Sequence, residues 1–419
     1  MFKFTISMVC MAALLAGSGG CGQRADRSDA GTTLVVWAHE GQPAEKAALQ
    51  SVIEAFNRSQ TSVAARLEFK QEQGYGDRVN AAAMAGQLPD ILEVDGPYTA
   101  HFADLGVLQP LNEILPPGLT NDFLPTILQQ GSYQDKLYTL GAFDSTVALF
   151  YDRARLAACG ITPPQSVQAA WTWDEFMAAL AKISEQYPDL LPLETFMTWG
   201  GEWLTYAFLP VVWSNGGRVL APDGRQAEGY LNGPATVAAL RAWQQLFQRG
   251  YADPDATPGM FQHGQAAMAL GVFNRWPIFR DAELDFGMSP YPGLQSSASP
   301  SGSWCWGVTA RCRDTAAAAE LLQWLLDPRQ GLEPLCRANG GVPSRAAALA
   351  LMPDYQETRG LFVEQLRLTG RARPATPRYG TVTTEVSRAL DDIARGADVQ
   401  QTLDGAARRI DAVLRDAGG

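Results

Sequence analysis

The sequence is short of histidine, cysteine and positive charge. Its 419 residues include three His and six Cys, and 33 Lys and Arg stand against 44 Asp and Glu, a formal net charge of −11. That balance disfavours nucleic acid or an anionic membrane surface as the main partner. His39, His101 and His263 are scattered without paired spacing, so no metal site and no cofactor are expected. Cys159, Cys305, Cys312 and Cys336 match no zinc pattern. Buried thiols and disulfides both remain open for them; Cys305 and Cys312, which flank an apolar segment, read as buried thiols. There is no Gly-x-Ser-x-Gly elbow, no glycine-rich phosphate loop and no internal repeat, which removes the commonest nucleophile and nucleotide signatures.

The N-terminus carries an export signal. Lys3 precedes an apolar run from Phe4 to Ala16, then small residues to Gly20, then Cys21. The run is too short for an ordinary membrane span and reads as a signal peptide over 1–20. Cys21 at the boundary resembles a bacterial lipoprotein site, although Ser18 stands where that pattern prefers Leu. Lipidation at Cys21 and plain cleavage both stay open. Residues 21–31 read as a flexible tether. The mature chain is therefore expected outside the cytoplasm.

Beyond residue 32 the pattern alternates strand and helix. A strand over 33–38, a helix over 43–57 opened by Pro43, a strand over 64–69 and a helix over 75–85 lead to Gly86-Gln87-Leu88-Pro89-Asp90-Ile91-Leu92-Glu93-Val94-Asp95. Gly86 suits a left-handed helix end, Pro89 prevents the helix from resuming, and Ile91–Val94 make a short buried strand. A further helix over 98–105 puts His101 on a helix surface. Alternation of this kind predicts parallel strands layered with helices, and ligands in such sheets sit beyond the strands' carboxyl ends. Asp95 and Tyr98 are at that position, and so are Trp37, His39 and Glu40. Thr172-Trp173-Asp174-Glu175 is a capping box for a helix to about Gln186, and Pro234 opens one that runs through Arg249.

Tryptophan is abundant: 11 residues, several at expected strand ends or loops. Indole suits places that are apolar on one side and polar on the other. A sugar offers C–H faces for indole to stack on and hydroxyls that need charged or polar partners. Trp37 with Glu40, Asp95 with Tyr98, Phe143 with Asp144, and Trp199 with Glu202 and Trp203 fit such a binder, and His39 can donate to a hydroxyl. For any one Trp a core position is the competing assignment. Trp304 and Trp306, two apart on a strand, share a face that is either core or cleft. A glycoside hydrolase is the enzymatic alternative, needing two carboxylates about 5–10 Å apart, a separation that sequence spacing does not reveal.

Trp37, Phe56-Asn57, Ala85-Gly86-Gln87-Leu88-Pro89-Asp90 and Leu105-Gly106-Val107-Leu108-Gln109-Pro110-Leu111 occur in the order and spacing of a known pattern. Tyr151-Asp152, Thr172-Trp173-Asp174-Glu175, Asn215-Gly216-Gly217 and Phe261-x-x-Gly264-x-x-Ala267-Met268 extend it. The chain resembles the family 1 extracellular solute-binding proteins of ABC importers, the maltose- and trehalose-binding class. The resemblance implies an α/β, two-lobe type II periplasmic-binding-protein fold with mostly parallel sheets and a ligand cleft between the lobes. Lobe one would comprise 32–141 and 268–327, lobe two 142–267 and 328–419, with Phe143-Asp144 at the first crossover. It implies no enzymatic activity, and instead capture of a sugar or oligosaccharide by a monomer that delivers it to an ABC permease. The ligand-binding residues it suggests are Trp37, His39, Glu40, Asp95, Tyr98, Phe143, Asp144, Trp199, Glu202, Trp203, Trp276, Trp304, Trp306 and Tyr379. Arg345 lies near a family loop, and a surface role suits it equally. A non-sugar solute such as a polyol phosphate is the second alternative.

Overall fold

Strand propensity in the first third is realised almost where the sequence places it. A computed structural model describes residues 31–71 and 74–415; the signal peptide, nearly all of the tether and Cys21 lie outside the described residues. β1 (Thr32–His39), α1 (Pro43–Ser59), β2 (Val63–Lys70), α2 (Tyr75–Met84), β3 (Ile91–Asp95) and α3 (Thr99–Asp104) follow in turn. The apolar face of α1, Leu49, Val52, Ile53 and Phe56, is buried against the sheet, which is what fixes a helix of this length in a layered fold.

Two sheets define two lobes. The first runs β2, β1, β3, Trp304–Val308, Thr139–Gly141. The second runs Phe286–Ser289, Val147–Asp152, Ala266–Val272, Leu191–Glu194. Both are mixed rather than mostly parallel. β1 is parallel to β2 and β3, while Trp304–Val308 is antiparallel to both its neighbours. The reason is the route of the chain: it re-enters the first lobe at the carboxyl ends of β1 and β3 and must therefore run backwards along them.

That route also corrects the expected lobe boundaries. Ala266–Val272 does not return to lobe one at 268. Its residues are almost all buried, so it needs a neighbour on each side, and it finds them in Val147–Asp152 and Leu191–Glu194. The return comes at Ser299–Trp304 instead. Nor does the chain leave lobe one at 328. Trp324 donates Nε1–H to the Val52 carbonyl of α1 at 3.1 Å, and Asn339 Nδ2 reaches Glu45 Oε1 at 2.9 Å. Residues up to Val342–Pro343 therefore stay with lobe one.

The crossings are stitched together. Phe143–Asp144 pairs antiparallel with Val342–Pro343, and Ser299–Ser301 pairs with Gly370–Ala372. Asp144 was expected at the ligand. It is 0% exposed, and its carboxylate accepts from Thr126 Oγ1, the Ser145 amide (2.8 Å), Ser301 Oγ (3.0 Å) and the Gly302 amide (3.0 Å). Burial pushes its carboxyl up, and those donors pull it back. With every lone pair so engaged, Asp144 fastens the hinge and does not face solvent. Phe143 is likewise buried, packing on Phe273 of the other lobe at 5.4 Å. The four described cysteines are free thiols, Cys305, Cys312 and Cys336 buried.

The capping box forms as its residue types dictate. The Glu175 amide donates to Thr172 Oγ1 at 3.3 Å, and Glu175 Oε2 accepts from the Thr172 amide at 2.9 Å. Thr172→Ala should cost about 1 kcal/mol, read as a lower urea midpoint at unchanged slope. Asp144→Ala should cost more, about 2 kcal/mol, because it leaves buried donors on two crossing segments without an acceptor.

Candidate functional site

At the cleft, one guanidinium joins the lobes. Arg373 follows the short strand Gly370–Ala372, and its side chain is 4% exposed. Nη2 donates to Asp95 Oδ1 at 3.0 Å and Nη1 to Oδ2 at 3.3 Å, a bidentate pair with the tip of β3. Nη1 also donates to Glu202 Oε1, at the start of the helix Gly201–Ser214 in the other lobe. Tyr379 donates its hydroxyl to that same oxygen, and Thr383 Oγ1 donates to Oε2 at 2.7 Å. The guanidinium lies over the Tyr206 ring at 5.0 Å. A buried cation here is balanced by carboxylates from opposite lobes.

The rest of the cleft follows from this cluster. Tyr98 meets Tyr379 edge to face at 5.2 Å. Burial, with Glu202 and Asp95 nearby, pushes the Tyr98 phenol well above its ordinary range, so it stays a donor. Burial raises the Glu202 carboxyl and the Arg373 charge opposes that rise. His101 does not merely decorate a helix surface: its Nδ1 lies 2.8 Å from the Pro377 carbonyl, a further tie across the cleft. A cavity of about 680 Å³ opens beside the cluster, lined by Tyr98 from lobe one and by Met197, Gly200, Glu202, Thr383 and Arg388 from lobe two. That is a volume typical of small-ligand sites. Gly200, at φ 60° and ψ −165°, holds a backbone conformation open essentially to glycine alone, and it sets the entry of the helix that carries Glu202.

Of the residues expected at the ligand, the structure gathers Asp95, Tyr98, Glu202 and Tyr379. Tyr379 is wholly buried, so it anchors Glu202 and offers no open ring. Trp304, half-buried, is the cross-strand partner of Asp95 and lies at the same sheet end. His39 is buried behind it. The others are elsewhere. Trp37 turns toward β2, donating to Glu68 at 3.0 Å under the Lys70 ammonium. Glu40 is exposed and pairs with Lys46. Trp306, on the same face as Trp304 but two residues further along the strand, is 1% exposed and belongs to the core. Trp276 is gripped between Arg359 and Arg280. Trp199, 39% exposed, stacks on Phe196 at 4.3 Å beneath Arg275, and Trp203 donates to the Thr195 carbonyl. Arg345 is bound to Asp122 and the Leu326 carbonyl, inside lobe one.

Sequence reasoning missed Arg373, Tyr206 and Thr383. No local signal marks an arginine as buried when its partners lie far away in the chain.

This is the architecture of a hinged, two-lobe ligand-binding protein. The chain belongs to the bacterial extracellular solute-binding protein family, whose model matches residues 40–331. A maltotriose-binding protein of Pyrococcus abyssi is 23% identical over 385 residues, covering 88% of this chain and 80% of that protein. The diacetylchitobiose-binding protein DasA of Streptomyces coelicolor is 26% identical over 363 residues, 81% of this chain and 80% of that one. Among solved structures, the cyclic α-maltosyl-1,6-maltose-binding protein of Arthrobacter globiformis matches at a TM-score of 0.79 and 25% identity, over 92% of this chain and all of that one.

Arg373→Ala should leave Asp95 and Glu202 facing each other without a counter-charge. Loss of about 3 kcal/mol of stability is expected, seen as a lower melting temperature of the unliganded protein.

Proposed function

We propose that the protein captures a neutral sugar or oligosaccharide outside the cytoplasmic membrane, closes on it, and presents the closed form to an ABC permease. The observation that carries this is the Asp95–Arg373–Glu202 bridge, which joins the two lobes beside a cavity that Glu202 lines from one lobe and Tyr98 from the other. A solute that hydrogen-bonds to both carboxylates and the guanidinium gains contacts in the closed form that it lacks in the open one. Only such a difference shifts the equilibrium toward closure. Asp95, Tyr98, Glu202, Arg373 and Thr383 would serve the hydroxyls, and Trp304 a sugar face. Sugar-binding names among the relatives support the cargo class.

Two alternatives lose ground on the geometry. A hydrolase would need one of its carboxylates free to protonate a leaving group, whereas Asp95 and Glu202 share a permanent cation. A phosphate ligand would want unpaired cations. Arg388 at the cavity pairs with Glu385, and Arg395 with Asp391 and Asp255. On this reading the receptor acts as a monomer, and lipidated Cys21 would hold it at the membrane. The mass of the protein recovered from bacterial membranes checks the lipid.

The test is a thermal-shift panel of maltose, maltotriose, trehalose, diacetylchitobiose and glycerol 3-phosphate, with sugars recovered and chromatographed. A ligand at a hundred times its Kd should add about 2.7 kcal/mol to stability. A shift with intact sugar supports the receptor; sugar cleaved with turnover replaces it with a hydrolase; a shift with glycerol 3-phosphate alone replaces the cargo. Trp304→Ala should weaken the binding of the responding sugar by at least about tenfold, measured by calorimetry.

A further inference from the structure

His39 ends β1, next to the cleft, yet it is turned inward. Its ring lies flat on the indole of Trp304, centroids 3.9 Å apart and planes 3° from parallel. Tyr75 closes one side of the same indole edge-on at 5.3 Å. The imidazole is itself held. Nδ1 sits 2.7 Å from Glu93 Oε2, and that oxygen also accepts the His39 backbone amide at 3.1 Å. One carboxylate oxygen thus ties the ring to its own main chain and fixes its angle. Glu45 of α1 lies on the other side, where it and His39 Nε2 both flank Gly41. Glu45 is oriented in turn by Asn339.

We propose that His39 is a positioning residue for ligand binding: it backs Trp304 so that the indole is held ready to stack on a sugar ring. The inference rests on the reading that Trp304 meets the sugar. Three observations support it. Trp304 is half-buried, while Trp306, two residues along the same strand, is sunk in the core. Trp304 is the cross-strand neighbour of Asp95, whose carboxylate Arg373 holds, so its place on the strand adjoins the cleft cluster. A buried His–Glu pair is also an expensive filler where an apolar side chain would pack as well; what the polar pair adds is a fixed orientation. An indole whose rear face is already covered loses little freedom when its front face is occupied, and preorganisation of that kind raises affinity.

The experiment is a double-mutant cycle read in the Kd of the panel sugar that shifts melting most, maltotriose first. His39→Gln keeps a hydrogen-bonding group for Glu93 and removes the plate. It should weaken binding by about threefold to tenfold in the wild-type background and by less than about twofold in Trp304→Ala. Equal loss in both backgrounds, or no loss in the first, overturns the inference while the sugar site stands. No loss with Trp304→Ala overturns the site reading and the inference together. A spectroscopic check needs no change at His39. The fluorescence of wild type minus Trp304→Phe should be weaker than the mean of the other tryptophans, because a stacked imidazole quenches indole. A bright Trp304 overturns the stack.

Discussion

The structure turns on a buried positive charge that no single lobe neutralises. Arg373 is almost wholly enclosed, and a guanidinium in that environment is tolerable only with carboxylates beside it. Asp95 comes from lobe one and Glu202 from lobe two. Electrostatic satisfaction of one side chain is therefore the same event as apposition of the lobes. The surrounding groups reinforce this: Tyr379 and Thr383 hold Glu202 in place, and Tyr206, under the guanidinium, bonds to Ser145 of the crossing segment. Hinge and cleft are thus mechanically one unit.

The same economy governs the hinge. Asp144 gathers donors from the first and second crossings onto one carboxylate, so the two strands pivot together. A hinge built from separate loops would let the lobes slide; one fastened at a single fully satisfied group restricts them to opening and closing. Solute binding needs that restriction, because only a reproducible closed shape can be told from an open one.

How much of this could be read from the sequence depends on the range of the interaction that decides it. Pro43, Gly86, Thr172 with Glu175, and Pro234 act within a turn of chain, and the elements they open or end appear as expected. The position of Asp95 and Tyr98 at the end of β3 was legible because the end of a strand is a local feature. Trp37 and Trp306 were misplaced because an indole's surroundings depend on segments distant in the chain. Trp37 is claimed by Glu68 and Lys70 on β2, and Trp306, on the same face as Trp304 but two residues further along the strand, is enclosed by the core. Asp144 offered the same polar character as a ligand group, and nothing local distinguishes a hinge fastener from a sugar acceptor. The lobe boundary at Ala266–Val272 failed for a related reason: an apolar strand does not say which sheet will take it.

The mixed order of the first sheet has a consequence for how the chain is made. Trp304–Val308 lies between β3 and Thr139–Gly141, so those early strands have no finished sheet until the late one arrives. A chain threaded through a membrane from its N-terminus would emerge with the edge of β3 bare for most of its passage, and closing so long a loop is slow. The first lobe to appear would be the last to lock. Until then the bare edge of β3 is open to pairing with another chain.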